Sequence, residues 1–334
     1  MRRTFMKTKK ITLLASTLLG VTLLSSCGAA STVTFSPNWC PDVTNEHSSE
    51  GETLTYEVTF KADATTDVDN TRTVVYGTGE YVTTLTPTAS GTETRYVYTT
   101  SLTIPVTYTY HGADGNVEDT FEDEITSEVV FRSTTKGLKP VSSKKTIISH
   151  TPSYSPATSL DTCYKKYWYE LVTSYDDNAE NGTCVLTDRL GNIYGAENGT
   201  RSTSFSMDKG YTYVDNEQLL FAIRCLPLNS SAVLTSYNDS AKSVEKVNVN
   251  LSSVEEDEFT FSKNGNPYTK KLTYVPVSIS RNTGNHNTGA THRLWIAQKT
   301  EGLNENRNVM LKMEVPVSYS IGTLVYTLKS ANFN

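Results

Sequence analysis

The chain has 334 residues, with 30 Lys and Arg against 36 Asp and Glu for a net charge of −6, and 20 of its residues are tyrosine. The acidic balance excludes nucleic acid or an anionic lipid surface as the main partner, because both bind through clustered Lys and Arg. A profile rich in Thr, Ser, Val and Tyr suits pleated, half-exposed strands rather than helices, and so points to an all-β chain.

Residues 2–10 carry Arg2, Arg3, Lys7, Lys9 and Lys10 with no acid, and a fourteen-residue apolar run follows from Ile11 to Leu24. That run is shorter than the ~20 residues a membrane-spanning helix needs, and it fits the hydrophobic region of a secretory signal. It ends in Leu24-Ser25-Ser26-Cys27-Gly28, which resembles the lipobox of bacterial lipoproteins. The resemblance implies cleavage before Cys27 and attachment of diacylglycerol to its sulfur. Acyl chains then hold a soluble domain at the bilayer by ~0.8 kcal/mol per buried methylene. The expected organisation is a signal peptide over 1–26, a lipidated N-terminus and polar tether over 27–50, and a single curved β domain over 51–334. The expected location is the bacterial cell envelope, exported and anchored to a membrane through Cys27. Residues 1–26 take five cationic side chains and no acid with them, so cleavage moves the net charge from −6 to −11. No later apolar run approaches membrane length, which leaves the acyl chains as the expected membrane contact.

The first strand is "TLTYEVTF" (53–60): Leu54, Tyr56, Val58 and Phe60 point one way and Thr53, Thr55, Glu57 and Thr59 the other, the period of a one-sided sheet. "YGTGEY" (76–81) lacks the third glycine and the following helix of a dinucleotide loop and reads as a turn. "YVTTL" (81–85), the turn "TASGTE" and "TRYVYTTSLTIPVTYTY" (94–110) come next. Pro105 falls on the outer set of that last run, where an edge or bulge tolerates it. "GADGN" (112–116) carries an Asp-Gly hairpin signal; "ITSEVVF" and "KKTIIS" continue the meander. "KYWYELVTSY" (166–175) alternates and is rich in aromatics. The segment "DNEQLLFAIRCLPL" (215–228) stands apart. Asp215 and Gln218 have capping-box spacing, Leu219, Leu220 and Ile223 give a helical apolar face, and Pro227 ends it. "KNGNP" (263–267) is an Asn-Gly turn between "EFTF" and "KKLTYVPVSIS". "HRLWIA" (292–297) and "VMLKMEVPVSYSIGTLVYTL" (309–328) close the chain. The pattern predicts one large curved antiparallel meander sheet, half-barrel or clamshell-like, with one short helix.

Chemistry-bearing patterns are sparse. There is no H-E-x-x-H, G-x-S-x-G or P-loop. "SRNTGNHNTGATH" reads as a loop with His286 and His292 solvated. The acidic stretches 63–70, 114–124 and 175–181 read as solvated loops, since the one closest to a calcium loop has Asp119 where the sharp turn needs glycine. Glu255, Glu256, Asp257 and Glu258 read as a solvated turn. No catalytic residue, metal site or cofactor is expected. Beyond Cys27, Cys40, Cys163, Cys184 and Cys225 form an even set with three possible connectivities. Disulfides are open to an exported chain, and four buried unpaired thiols fit equally. No C-x-x-C spacing suggests zinc or redox chemistry. A hairpin around "DDNAENGT" would set Cys184 opposite roughly Tyr175, away from Cys163. Trp168, among Tyr164, Tyr167 and Tyr169, and Trp295 on a late strand are the candidate ligand-face aromatics. Such rings stack on sugars, line an apolar cavity, or simply fill the core.

Six landmarks occur in order: "GETLTYEVTF" (51–60), "TKGLKPVSSKKT" (135–146), "LLFAIRCLPL" (219–228), "KKLTYVPVSIS" (270–280), "LWIAQKT" (294–300) and "VPVSYSIGTLVYTL" (315–328). Together they resemble a family of bacterial envelope β-proteins of unassigned function. The resemblance implies a single, strongly curved antiparallel sheet enclosing a groove, and it supplies no catalytic residues. The leading expectation is a lipid-anchored, non-enzymatic envelope protein binding an apolar or glycan ligand on the concave sheet face. The alternatives are a surface-exposed adhesin or assembly component with an envelope-protein partner, and an envelope-polymer hydrolase built on two carboxylates brought together by folding.

Overall fold

The alternation of residues 53–60 becomes strand β1 (Glu52–Ala62), whose inward row Glu52, Leu54, Tyr56 and Val58 is buried while the alternate residues face out. The computed structural model describes residues 51–334 apart from 64, 91–92, 135–136, 194–198, 284–285, 288–290, 301 and 305–306. The expected signal peptide, Cys27, Cys40 and the tether therefore lie outside the described residues.

Short strands β2 (Asp67–Asp69) and β3 (Arg72–Tyr76) lead into the long meander. It comprises β4 (Gly79–Ser90), β5 (Glu93–Gly112), β6 (Gly115–Thr134), β7 (Gly137–Pro152), β8 (Tyr164–Tyr175), β9 (Asn181–Asp188) and β10 (Thr200–Ser206). Strand β11 (Thr212–Tyr213) precedes helix α1 (Leu219–Arg224). The second half holds β12 (Ala232–Asn238), β13 (Ser243–Leu251), β14 (Glu255–Lys263), β15 (Asn266–Thr283), β16 (His286–Asn287), β17 (His292–Ala297), β18 (Val309–Pro316) and β19 (Gly322–Phe333). The chain is all-β with one short α-helix among the described residues, as expected.

Antiparallel pairing runs β10-β9-β8-β7-β6-β5-β4-β1 and continues β1-β19-β18-β17-β15-β13-β12. The first and last strands thus pair in the middle, from Glu52↔Phe333 to Ala62↔Gly322, and weld two meanders into one sheet. Two parallel contacts depart from the antiparallel expectation. One joins β11 to β12; the other lets the β14–β15 hairpin tip reach β19 at Ser262↔Ser330 and Lys263↔Ala331. Asn264 and Gly265 both have positive φ (49° and 78°), the conformation a tight two-residue hairpin requires. Bulges at Thr55/Tyr56, Val130/Phe131 and Trp295/Ile296 add curvature.

The outer strands β10 and β12 meet through side chains. Phe205 stacks on Tyr237 with ring centroids 4.1 Å apart, and Arg201 Nη2 donates to both carboxylate oxygens of Asp239 at 2.7 and 2.6 Å. The sheet is therefore barrel-like, with a seam held by packing rather than by a backbone ladder.

Pro105 explains a jog in the wall. β5 pairs with β4 up to Thr103 and with β3 from Val106 onward, so Pro105 occupies the gap where the neighbour changes and no ladder donor is missed. Gly77 N donates to Pro105 O at 2.9 Å, and a Cβ on Gly79 would lie 2.5 Å from Thr103 O. "YGTGEY" is this junction: β3 and β4 both run antiparallel along β5, so the segment is a break within one extended run and not the turn the sequence suggested.

Four local expectations are corrected. Residues 115–124 of the acidic stretch lie in strand β6 rather than a solvated loop, with Asp123 buried against His150. Glu255–Glu258 belong to strand β14, with Glu255 accepting from Tyr274 Oη at 2.9 Å. His292 begins β17, in register with inward Leu294 and Ile296, instead of lying in a solvated loop. Gly182 faces Tyr175 and Cys184 faces Thr173, because the β8–β9 turn is shorter than the sequence suggested.

Candidate functional site

The concave face is filled in one part and hollow in another, and α1 decides which. The turn before it is tied by two short-range bonds: Glu217 N donates to Asp215 Oδ1 at 2.7 Å and Asp215 N to Gln218 Oε1 at 3.4 Å. The capping-box pair is thus used, but as a turn, and the helix proper starts only at Leu219. Its Phe221 enters the sheet between Tyr98 and Phe131, with ring centroids 5.3 and 5.2 Å away. Arg224 in the last turn meets Glu52 of β1 and the carbonyl of Asn308, all buried. The helix fills this end of the concavity.

Beyond the helix lies a cavity of about 380 Å³. Its apolar wall comes from Tyr81 on β4, Leu102 on β5, Ile125 on β6, Leu220 on α1, Met313 on β18 and Tyr326 on β19. Tyr326 meets Tyr81 edge-on at 5.3 Å, which fixes both rings. Thr100 and Ser127 add hydroxyls to the wall, and the charged groups gather at one side. Lys145 Nζ on β7 lies 3.2 Å from Glu217 Oε2, and both side chains are partly exposed, so the cavity reaches solvent there. Arg281 on β15 donates through Nη2 to Asn216 Oδ1, and its Nη1 is buried without a hydrogen-bond partner. Burial, then the neighbouring Arg281 charge, hold the His292 imidazole below its usual range and therefore neutral at pH 7.

A second, polar chamber of about 200 Å³ shares Lys145, Asn216 and Glu217. Its floor is Asp215, which accepts from Ser143 Oγ at 2.7 Å, from Tyr175 Oη and from Glu217 N. Burial and the Glu217 charge push the Asp215 carboxyl up to about 6. With both oxygens taken and the residue 2 % exposed, Asp215 anchors the turn and is not presented to a substrate. Cys184 also lines this chamber, its thiol pushed up to about 11 by burial, so it is protonated at neutral pH and a poor nucleophile.

Neither candidate tryptophan lines the larger cavity. Trp168 is 44 % exposed and out of phase with the inward residues Tyr169, Leu171 and Thr173 of β8. Trp295 sits under Lys312, whose Nζ is 4.4 Å from the ring, on the face opposite Leu294 and Ile296. The aromatics on the cavity wall are Tyr81 and Tyr326. Cys163, Cys184 and Cys225 are buried free thiols, so no disulfide joins any of these three. Among the described residues no group of three or more His, Cys, Asp or Glu is placed to hold a metal ion.

What the sequence reading missed was the inward polar row. Glu52 continues the phase of Leu54, Tyr56 and Val58, Arg281 that of Val275, Val277 and Ile279, and Lys145 that of Ser143 and Ile147. A charge in the inward register of a strand is the signal that would have found them.

No family model matches the chain, and no curated protein matches it in sequence. Among solved structures it is similar to the crystal structure of a beta-barrel-like protein, a domain of unknown function, from Brucella abortus. That likeness has a TM-score of 0.45 and 10% identity and covers 85% of this chain and 98% of that chain.

Proposed function

We propose that this chain is an exported envelope protein, anchored by lipid on Cys27, that holds an apolar ligand in its concave-face cavity without transforming it. The observation that carries the reading is the cavity of about 380 Å³, walled by apolar side chains from five strands and the helix, with its charged groups gathered at one side around Asn216 and Glu217. A mostly apolar hollow with few convergent polar groups is the ordinary form of a small-molecule site, whose volumes run from ~300 to 1,000 Å³. An apolar ligand is favoured over a glycan because Trp168 and Trp295 lie off the wall and Tyr81 and Tyr326 are packed edge to face. A hydrolytic role is disfavoured by the saturated Asp215 carboxylate beside Glu217.

The neutral fluorophore N-phenylnaphthylamine tests the cavity. Saturable fluorescence enhancement at one site per chain, competed by hexadecanol, is the expected result; no saturable uptake by the folded protein overturns it. The anchor is tested separately by fractionating cells that carry Cys27→Ser: the variant should leave the membrane pellet and lack the acyl mass on its N-terminal peptide.

A further inference from the structure

The charge balance of the cavity corner is uneven. Lys145 and Glu217 neutralise each other at 3.2 Å. His292 is held neutral. Arg281 has a hydrogen bond only to the Asn216 side-chain oxygen, no carboxylate of the described residues lies within ion-pair distance of it, and Nη1 donates to nothing. Burial lowers its pKa, with Glu245 and Glu217 acting in the opposite direction from a distance, yet a guanidinium remains charged under all physiological conditions. A cation lining an apolar hollow carries a desolvation cost that only the more distant Glu245 and Glu217 charges offset, with no ion pair among the described residues to complete the compensation. The side chain is held in place by β15, directly after Val277 and Ile279 in the inward row, and by Asn216 in the turn that leads into α1.

We infer that Arg281 receives the carboxylate of a long-chain fatty acid whose hydrocarbon tail lies along Leu102, Ile125, Leu220 and Met313. The inference rests on the cavity reading above and specifies its ligand class. The guanidinium fork matches a carboxylate, a cation with no carboxylate of the described residues at ion-pair distance matches a monoanion, and the modest volume suits a single chain better than a diacyl lipid. Asn216 accepts from Nη2 and fixes the guanidinium, while the Arg281 side chain itself lines the cavity.

The test compares hexadecanoate, hexadecanol and a lysophospholipid by calorimetric titration of the delipidated full chain, below the critical concentration of each. Hexadecanoate should bind at least about tenfold tighter than hexadecanol, the worth of a charge-assisted hydrogen bond. Arg281→Met keeps the apolar stem and removes the fork, and should reduce that preference to within about twofold while hexadecanol binding persists. Arg281→Lys, a point charge without the fork, should retain an intermediate preference. The unliganded Arg281→Met protein should melt no lower than the parent, since it loses a buried unpaired charge. Equal binding of acid and alcohol by the parent, a preference that survives Arg281→Met, or tighter binding of the lysophospholipid each overturns the fatty-acid assignment and leaves the cavity reading standing. Failure of all three ligands to bind overturns the cavity reading itself.

Discussion

Arg224 and Glu52, 172 residues apart in sequence, meet as a fully buried two-bond ion pair, Nη1 to Oε1 at 2.7 Å and Nη2 to Oε2 at 3.0 Å. Burial alone would push the Glu52 carboxyl up, but the Arg224 guanidinium, with Arg307 behind it, holds it below the usual carboxylate range. Arg224 also donates through Nε to Asn308 O at 3.0 Å, while Asn308 Nδ2 returns a bond to Arg224 O at 2.7 Å. The helix is thereby pinned to β1 and to the start of β18, and the position of Leu220 on the cavity wall depends on that pin.

Replacing Glu52 by Gln leaves a buried guanidinium without its counter-charge. The expected cost is ~3–5 kcal/mol in a urea titration. Replacing both partners by apolar residues, Glu52→Leu with Arg224→Met, should recover much of that loss. Equal destabilisation by the single and double variants would show that the pair contributes shape rather than charge.

Asp215 gives stability a dependence on pH. Its folded carboxyl titrates near 6 and an unfolded one near ~3.9, so between these values the folded chain holds the proton more tightly. The stabilisation is fully present below about pH 4 and is lost as pH rises through about 6. Asp215→Asn removes this dependence. The stability of the parent relative to the variant should fall by on the order of 3 kcal/mol from pH 4 to pH 7; a difference that stays flat would place the titration elsewhere.

Gly182 lies beneath the Phe205 ring: a Cβ there would stand 2.4 Å from ring carbon Cζ. That ring stacks on Tyr237 and forms the packed seam between β10 and β12. Gly182→Ala should cost ~1–3 kcal/mol by overpacking, and Phe205→Leu in the same chain should relieve part of it. A double-mutant cycle reads the coupling; additive losses would mean the ring and the glycine do not constrain each other.

Leu102→Trp places an indole in the cavity. N-phenylnaphthylamine uptake should disappear while the urea midpoint moves little. Trp168→Ala, on the outer face of β8, should change stability by less than ~0.5 kcal/mol and leave uptake unaltered. Uptake lost in Trp168→Ala and kept in Leu102→Trp would move the ligand face to the outside of the sheet.

The local elements were legible in the sequence because their causes are local. Leu54, Tyr56 and Val58 alternate with polar residues and form β1; Asn264-Gly265 can take two positive φ values and turns a hairpin; Leu219, Leu220 and Ile223 make a short helix before Pro227. Pro105 signalled an interruption in pairing, and the gap between β3 and β4 supplies it. The candidate site was poorly legible. Trp168 and Trp295 attracted attention as aromatics, yet strand phase turns both away from the cavity, while Arg281 and His292 were hidden in a stretch that reads as loop. The sequence by itself determined strand period, turn chemistry and the single helix, since each depends on neighbours a few residues away. The tertiary structure alone decided that the first and last strands pair, that Phe205 and Tyr237 seal a seam, and that α1 fills one end of the concavity and leaves the other hollow. Those outcomes depend on contacts between residues tens to hundreds of positions apart, whose strength comes from shared burial that no local pattern encodes.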